Sequence, residues 1–143
     1  MDNVGSRPIS VNILIVFMTF QSLSGLFGGV MLILDPSGNS LNMPLSLLNY
    51  SPFIDYLIPG LILFLILGII PFVVLNGLWK KKSWSWYGSL FVSVALIIWI
   101  AAEVLMIGYQ AEPPLQLIYG IAGMLLLIFT LMPSVKKFLI VNN

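Results

Sequence analysis

Two apolar runs, residues 53–79 and 87–109, are joined by Trp79-Lys80-Lys81-Lys82-Ser83-Trp84-Ser85-Trp86. A basic turn flanked by tryptophans between two such runs has the pattern of a short cytoplasmic hairpin between membrane spans. The composition leaves little room for a water-soluble alternative. Hydrophobic residues make up 59% of the 143-residue chain and charged residues 8%, where a soluble domain carries ~25% charged residues. Mean hydropathy is +1.07. The expected fold is all-α: a single membrane domain, residues 1–143, built as a bundle of four transmembrane helices.

Taken in order, the chain places the four spans at about 9–34, 53–79, 87–109 and 115–132. The first run, Ile9 to Leu34, would reach ~39 Å as a helix, enough to cross with tilt. Arg7 before it and Ser22-Leu23-Ser24 within it also fit a signal peptide with a small-x-small cleavage site. The apolar run continues past that site to Leu34, which favours an uncleaved span. Asp35-Pro36-Ser37-Gly38 is turn chemistry and stops the helix. The loop over 35–52 contains Pro44 to Tyr50, too short to span. It is expected to form a turn or two of helix on the membrane surface, with Pro44 at the first helical position. Asp55 is the expected N-cap of the second span, with Pro59 in its first turn. Pro71 lies inside that span and cannot donate to the Leu67 carbonyl, which predicts a kink. Gln110-Ala111-Glu112-Pro113-Pro114 is a tight turn. Pro133 ends the fourth span and leaves a short tail over 134–143.

Four spans put both termini on the side of the hairpin. Arg7, Lys80, Lys81, Lys82, Lys136 and Lys137, which are all six basic residues, then fall on one side. That bias sets the orientation as N-in and C-in. Asp35, Asp55, Glu103 and Glu112 fall toward the outside.

The chain has no cysteine and no histidine. Disulfides, thiol catalysis, Cys or His metal sites and Ser-His chemistry lose their usual parts. No Gly-rich phosphate loop is present, and a net charge of +1 offers no pull on nucleic acid. No cofactor is expected. The outer acids Asp35, Asp55 and Glu112 are weak candidates for a hard cation by ligand type alone. They come from separate segments without ligand spacing, and turn or capping roles serve Asp35 and Asp55 equally well.

Polar residues within the spans are where function is sought first. Glu103 lies ~9 Å of helix below Tyr109, with no basic residue on its side of the bundle. A bare carboxylate at that depth costs several kcal/mol, so it calls for protonation, a hydrogen-bond partner or water. Ser89, Val92, Leu96, Trp99, Glu103 and Gln110 share one helix face. That face is expected to turn inward, with Gln21, Gln116 or Tyr119 as partners for Glu103. Trp99 beside Glu103 could hold a cationic ligand; an interhelical bond serving the structure alone is the competing reading. Gln21 shares a face with Gly25 and Gly28, which reads as close helix packing. Gln116 and Tyr119 repeat that pattern with Gly120 and Gly123. Together Gln21, Trp99, Glu103, Gln116 and Tyr119 are the expected lining of one outward-facing polar pocket.

Gly28-Gly29-Val30-Met31-Leu32-Ile33-Leu34-Asp35-Pro36-Ser37-Gly38 and Ser51-Pro52-Phe53-Ile54-Asp55-Tyr56-Leu57-Ile58-Pro59-Gly60-Leu61 resemble stretches of small uncharacterised bacterial four-span membrane proteins. The likeness covers the outer loop and its flanking helix ends, less than a third of the chain. It implies a multi-pass protein of the plasma membrane, the bacterial inner membrane. That family has no assigned activity, so no functional residue carries over. The leading functional expectation is a non-enzymatic binding or accessory protein, taking a lipid, a small ligand, a partner membrane protein or a second copy of itself through its outer half. A small proton- or cation-coupled transporter or channel using Glu103 is the alternative. A lipid-modifying enzyme is the weakest reading, because no catalytic nucleophile or second catalytic group is identifiable.

Overall fold

The computed structural model describes residues 7–108 and 114–141. Among them the chain is helical with no strand. The main helices are α1 (Ile9–Leu34), α2 (Leu57–Trp79), α3 (Trp84–Ile107) and α4 (Leu115–Leu131), followed by a short α5 (Pro133–Val141). Each of the first four packs against the next, and α4 returns to α1, so they close into a four-membered ring. One end carries the long loop 35–56. The other carries the lysine hairpin and α5.

Helices α1, α2 and α3 are each long and apolar enough to cross a membrane. The fourth helix reaches that length only together with α5, and the pair is bent. α4 has 17 residues, ~26 Å of helix against a hydrocarbon core of ~30 Å. Met132 is extended at φ −62° and ψ 137°, as the residue before a proline prefers. Pro133 then starts α5 at 59° to α4. The expected tail over 134–143 is therefore corrected: Pro133 opens a helix rather than closing the structure. Its Val135, Phe138 and Leu139 are buried, and the Ser134 and Ser10 hydroxyls are bonded at 2.7 Å.

Two expected helix starts also move. α2 begins at Leu57, not residue 53, because the preceding residues belong to the folded loop. Asp55 still serves its first turn, accepting from the Leu57 N–H at 3.0 Å. α3 begins at Trp84 rather than Tyr87. The hairpin closes within three lysines, with Lys81 left-handed at φ 56° and the Lys82 N–H bonded to the Gly77 carbonyl. α3 stops at Gly108, whose φ of 75° suits glycine. The turn over 110–113, with Tyr109, lies outside the described residues.

α1 and α2 approach closely, and the reason is local. A Cβ on Gly25 would sit 2.0 Å from the Leu67 carbonyl oxygen, so only glycine admits this contact. At the same level α2 makes a π turn over Leu65–Ile69, just before Pro71. Pro71 has no N–H to give the Leu67 carbonyl. The Gln21 amide supplies one instead, donating from Nε2 at 3.0 Å, and the Ser22 hydroxyl donates to the Gly68 carbonyl at 3.1 Å. In a membrane interior each freed carbonyl needs such a partner. Where a kink was expected at Pro71, the helix makes a π turn on the N-terminal side of the proline, stitched to α1.

At the hairpin end the cations lie on aromatic rings. Arg7 sits over Trp79 at 4.2 Å, Lys81 over Phe138 at 4.9 Å and Lys136 over Trp86 at 5.1 Å. The Trp86 indole N–H also donates to the Thr130 carbonyl at 2.7 Å and so ties α3 to α4. Behind this layer Val11, Leu14, Met18, Leu78, Val92 and Leu126 fill the axis of the bundle.

Candidate functional site

The loop end of the bundle is hollow. A cavity of about 400 Å³ lies between α1, α2, α3 and α4 under the 35–56 loop. All five residues expected to line a pocket, Gln21, Trp99, Glu103, Gln116 and Tyr119, are on its wall. Along α1 the wall runs from Gln21 to Leu32, ~16 Å of helix. This size falls within the range of small-molecule pockets, ~300–1,000 Å³.

Packing between helices sets the levels. Cβ positions built on Gly120 and Gly123 meet Ile100 at 3.7 Å and Ile97 at 3.1 Å. α3 and α4 are antiparallel there, so Gln116, one turn before Gly120, stands level with Glu103, one turn after Trp99. The Phe20 and Tyr119 rings stack at 5.5 Å, which brings α1 to the same region. Gln21, Trp99 and Tyr119 therefore mark the deep part of the cavity, and Glu103 and Gln116 lie about one helical turn nearer its mouth.

Glu103 points inward. It is half-buried on the cavity wall, while Leu105, on the other side of α3, is 86% exposed. Its partner among the described residues is not one of the three expected. The group beside the carboxylate is the Trp99 indole, one turn earlier on the same helix. Gln21 and Gln116 are drawn to backbone instead. Gln21 serves the Leu67 carbonyl, and Gln116 donates to the Gly108 carbonyl at 3.2 Å, helping to close the end of α3. The common reason is chain geometry: Pro71 and Gly108 both interrupt helices, and the nearest amides satisfy what those breaks expose. Gln21 is 1% exposed, and its Oε1 has no hydrogen-bond partner.

The roof of the cavity is the loop, and this part was not legible in the sequence. The turn of helix expected within 44–50 is present as a 3₁₀ turn, Leu45–Leu48, and with a second, Asn39–Leu41, it folds onto the bundle end. Pro44 precedes the second turn rather than starting it. Leu48 and Tyr56 are buried against Leu32, with Leu41, Met43 and Phe53 around them. Tyr56 is the clasp. Its N–H bonds the Pro36 carbonyl at 2.9 Å and its hydroxyl the Pro44 carbonyl at 2.8 Å. Burial, and next the nearby Glu103 carboxylate, push the Tyr56 hydroxyl above its ordinary pKa. The one sequence signal that could have found this roof is the recurrence of apolar residues, Leu41, Met43, Leu45 and Leu48, within an otherwise polar stretch.

The other outer acids do local work. Asp35 accepts from the Ser37 hydroxyl and from the Ser40 N–H and hydroxyl at 3.0 and 2.8 Å. These bonds, Ser37's first, hold its carboxyl below the ordinary value. Asp55 caps α2 as described, and Glu112 lies outside the described residues. Among the described residues no three acids gather in a group that could hold a metal ion. Among the described residues lining the cavity, Glu103 is the sole charged one. Two serine hydroxyls on the wall are committed to backbone carbonyls, Ser24 to Phe20 and Ser51 to Leu48.

Comparison with protein-family models gave no match, and neither did comparison with curated proteins or with solved structures.

Proposed function

We propose that this chain is a non-enzymatic, multi-pass membrane protein that binds an amphipathic small molecule or lipid in the cavity beneath its long loop. The observation that carries this reading is the cavity itself, largely apolar, ~16 Å along α1, with a few polar groups on its wall. Pockets that bind small molecules combine these two features. All six basic residues belong to segments at the hairpin end, which favours a cytoplasmic hairpin and a cavity facing outward. The bacterial inner membrane is the setting implied by the resemblance of the loop segments.

Transport would need access from both ends. Against it stands the axis below Gln21, filled by Leu14, Met18, Val92 and Leu126, all fully buried. The enzyme reading gains no support among the described residues, because the wall serines Ser24 and Ser51 donate to backbone.

The test is saturable quenching of Trp99 fluorescence by terminally brominated undecanol, with the purified protein in detergent. The other three tryptophans, Trp79, Trp84 and Trp86, sit at the hairpin end. The saturable component should vanish in Trp99→Phe, which removes the reporter, and in Ala102→Phe, which fills the cavity wall. Quenching that never saturates, or that survives Trp99→Phe unchanged, defeats the proposal.

A further inference from the structure

We infer that the cavity selects an amphiphile whose head is a hydrogen-bond donor carrying positive charge, an ammonium on a hydrocarbon body, received by Glu103 and by the unpartnered Oε1 of Gln21. This inference rests on the binding reading above and narrows it to a class of ligand.

The argument begins with Gln21. Its Nε2 is used by the Leu67 carbonyl, and that bond fixes which way the amide faces. The oxygen is left buried and without a donor, in a side chain that is 1% exposed and borders the cavity. A buried acceptor without a partner costs ~1–3 kcal/mol. A ligand donor at that point recovers the cost. About one turn nearer the mouth stands the Glu103 carboxylate, an acceptor only when ionised. The Trp99 indole, at the level of Gln21 and one turn from Glu103, offers its ring to a cation.

The charge pattern excludes the opposite head. No lysine or arginine is among the cavity-lining residues described. A carboxylate head, or a phosphate head without an ammonium of its own, would face Glu103 with no cation to offset it, a repulsion in a setting of low dielectric. An ammonium has three donors and no acceptor, which matches a wall that presents acceptors. The hydrocarbon body then lies along Leu32, Leu41, Met43, Leu48 and Phe53, the apolar residues toward the mouth.

The chemistry could arrive as a free alkylamine or as the headgroup of an aminophospholipid, and the experiment has an arm for each. In detergent, Trp99 quenching is titrated with terminally brominated undecylamine, undecanol and undecanoate. In nanodiscs, brominated phosphatidylethanolamine is compared with brominated phosphatidylglycerol. The amine should bind at least about tenfold more tightly than the alcohol, a difference of ~1.4 kcal/mol, and the acid should bind most weakly. Glu103→Gln should shrink the preference for amine over alcohol to within about threefold, since the amide keeps the size of the side chain and loses its charge. Greater quenching by phosphatidylethanolamine identifies a lipid source; amine selectivity in detergent with equal quenching by the two lipids identifies a free amphiphile. Equal binding of amine, alcohol and acid, or an amine preference that persists in Glu103→Gln, overturns the inference while the binding proposal stands. If none of the three chains gives a saturable Trp99 signal, the binding proposal itself fails.

Discussion

Gly25→Ala should be among the most damaging single-methyl additions to this protein, and its cost can be worked from the contact it breaks. A Cβ at residue 25 would lie 2.0 Å from the Leu67 carbonyl oxygen, 2.4 Å from its carbon and 2.8 Å from the Gly68 nitrogen. These are backbone atoms of the π turn, so no side-chain rotation relieves the clash. α1 and α2 must separate by ~1 Å or more to reach ordinary contact. Overpacking of this kind costs ~1–3 kcal/mol. The bonds from Gln21 and Ser22, now 3.0 and 3.1 Å, stretch with the separation. Each interhelical bond of this type contributes ~0.6 kcal/mol on average. Alanine's better helix propensity returns ~0.5–1 kcal/mol. The net loss is about 2–3 kcal/mol. The assay is reversible unfolding from mild detergent into sodium dodecyl sulfate, followed by circular dichroism. Gly120→Ala is the control, since its nearest atom would be Ile100 Cγ2 at 3.7 Å. That variant should match the parent or gain up to ~1 kcal/mol. If Gly25→Ala unfolds at the same detergent fraction as the parent, or if both variants lose equally, the close α1–α2 contact is not what holds these helices together.

Two further outcomes follow from the loop and the hairpin. The folded-state pKa of Asp35 lies below the ordinary 3.8, so its contribution to loop order is complete above about pH 4 and is lost as pH falls through the folded value. The Ser40 amide resonance, whose N–H donates to Asp35 at 3.0 Å, should hold its position from neutral pH to about pH 4 and move only below it; Asp35→Asn should show the moved position throughout, and a parent amide that moves near neutral pH would contradict the bonding described. For orientation, Ser40→Cys should react with an impermeant thiol reagent added to intact cells and Ser83→Cys should not. Labelling of Ser83→Cys from outside would reverse the orientation proposed for the cavity.

Much of the scaffold was determined by residues acting over short distances. The apolar runs and their polar breaks located four helical segments, because a chain in lipid must satisfy its backbone within each segment. α1 occupies the span expected for it, Ile9 to Leu34, since Pro8 and the Asp35-Pro36 pair bound it chemically. The proposed orientation rests on sequence alone, on the one-sided placement of Arg7, Lys80 to Lys82, Lys136 and Lys137. The inward face of α3 was also legible, because Ser89, Leu96, Trp99 and Glu103 recur at helical spacing and the residues between them are apolar except Ser93.

Tertiary structure decided what each polar group does. Gln21 was readable as polar and inward, but its choice of the Leu67 carbonyl depends on Pro71, about fifty residues away in sequence, creating an acceptor without a donor. Gln116 goes to the Gly108 carbonyl because α3 ends there, leaving Glu103 to the Trp99 indole of its own helix. The roof of the cavity depended on long-range packing as well. Leu48 and Tyr56 are buried only because Leu32 and Leu63 present an apolar surface at the mouth of the bundle. Pro133 was ambiguous for the same reason: proline both ends a helix and begins one. Which of the two it does was settled by the partners Val135, Phe138 and Leu139 meet in the core, and those contacts exist only in three dimensions.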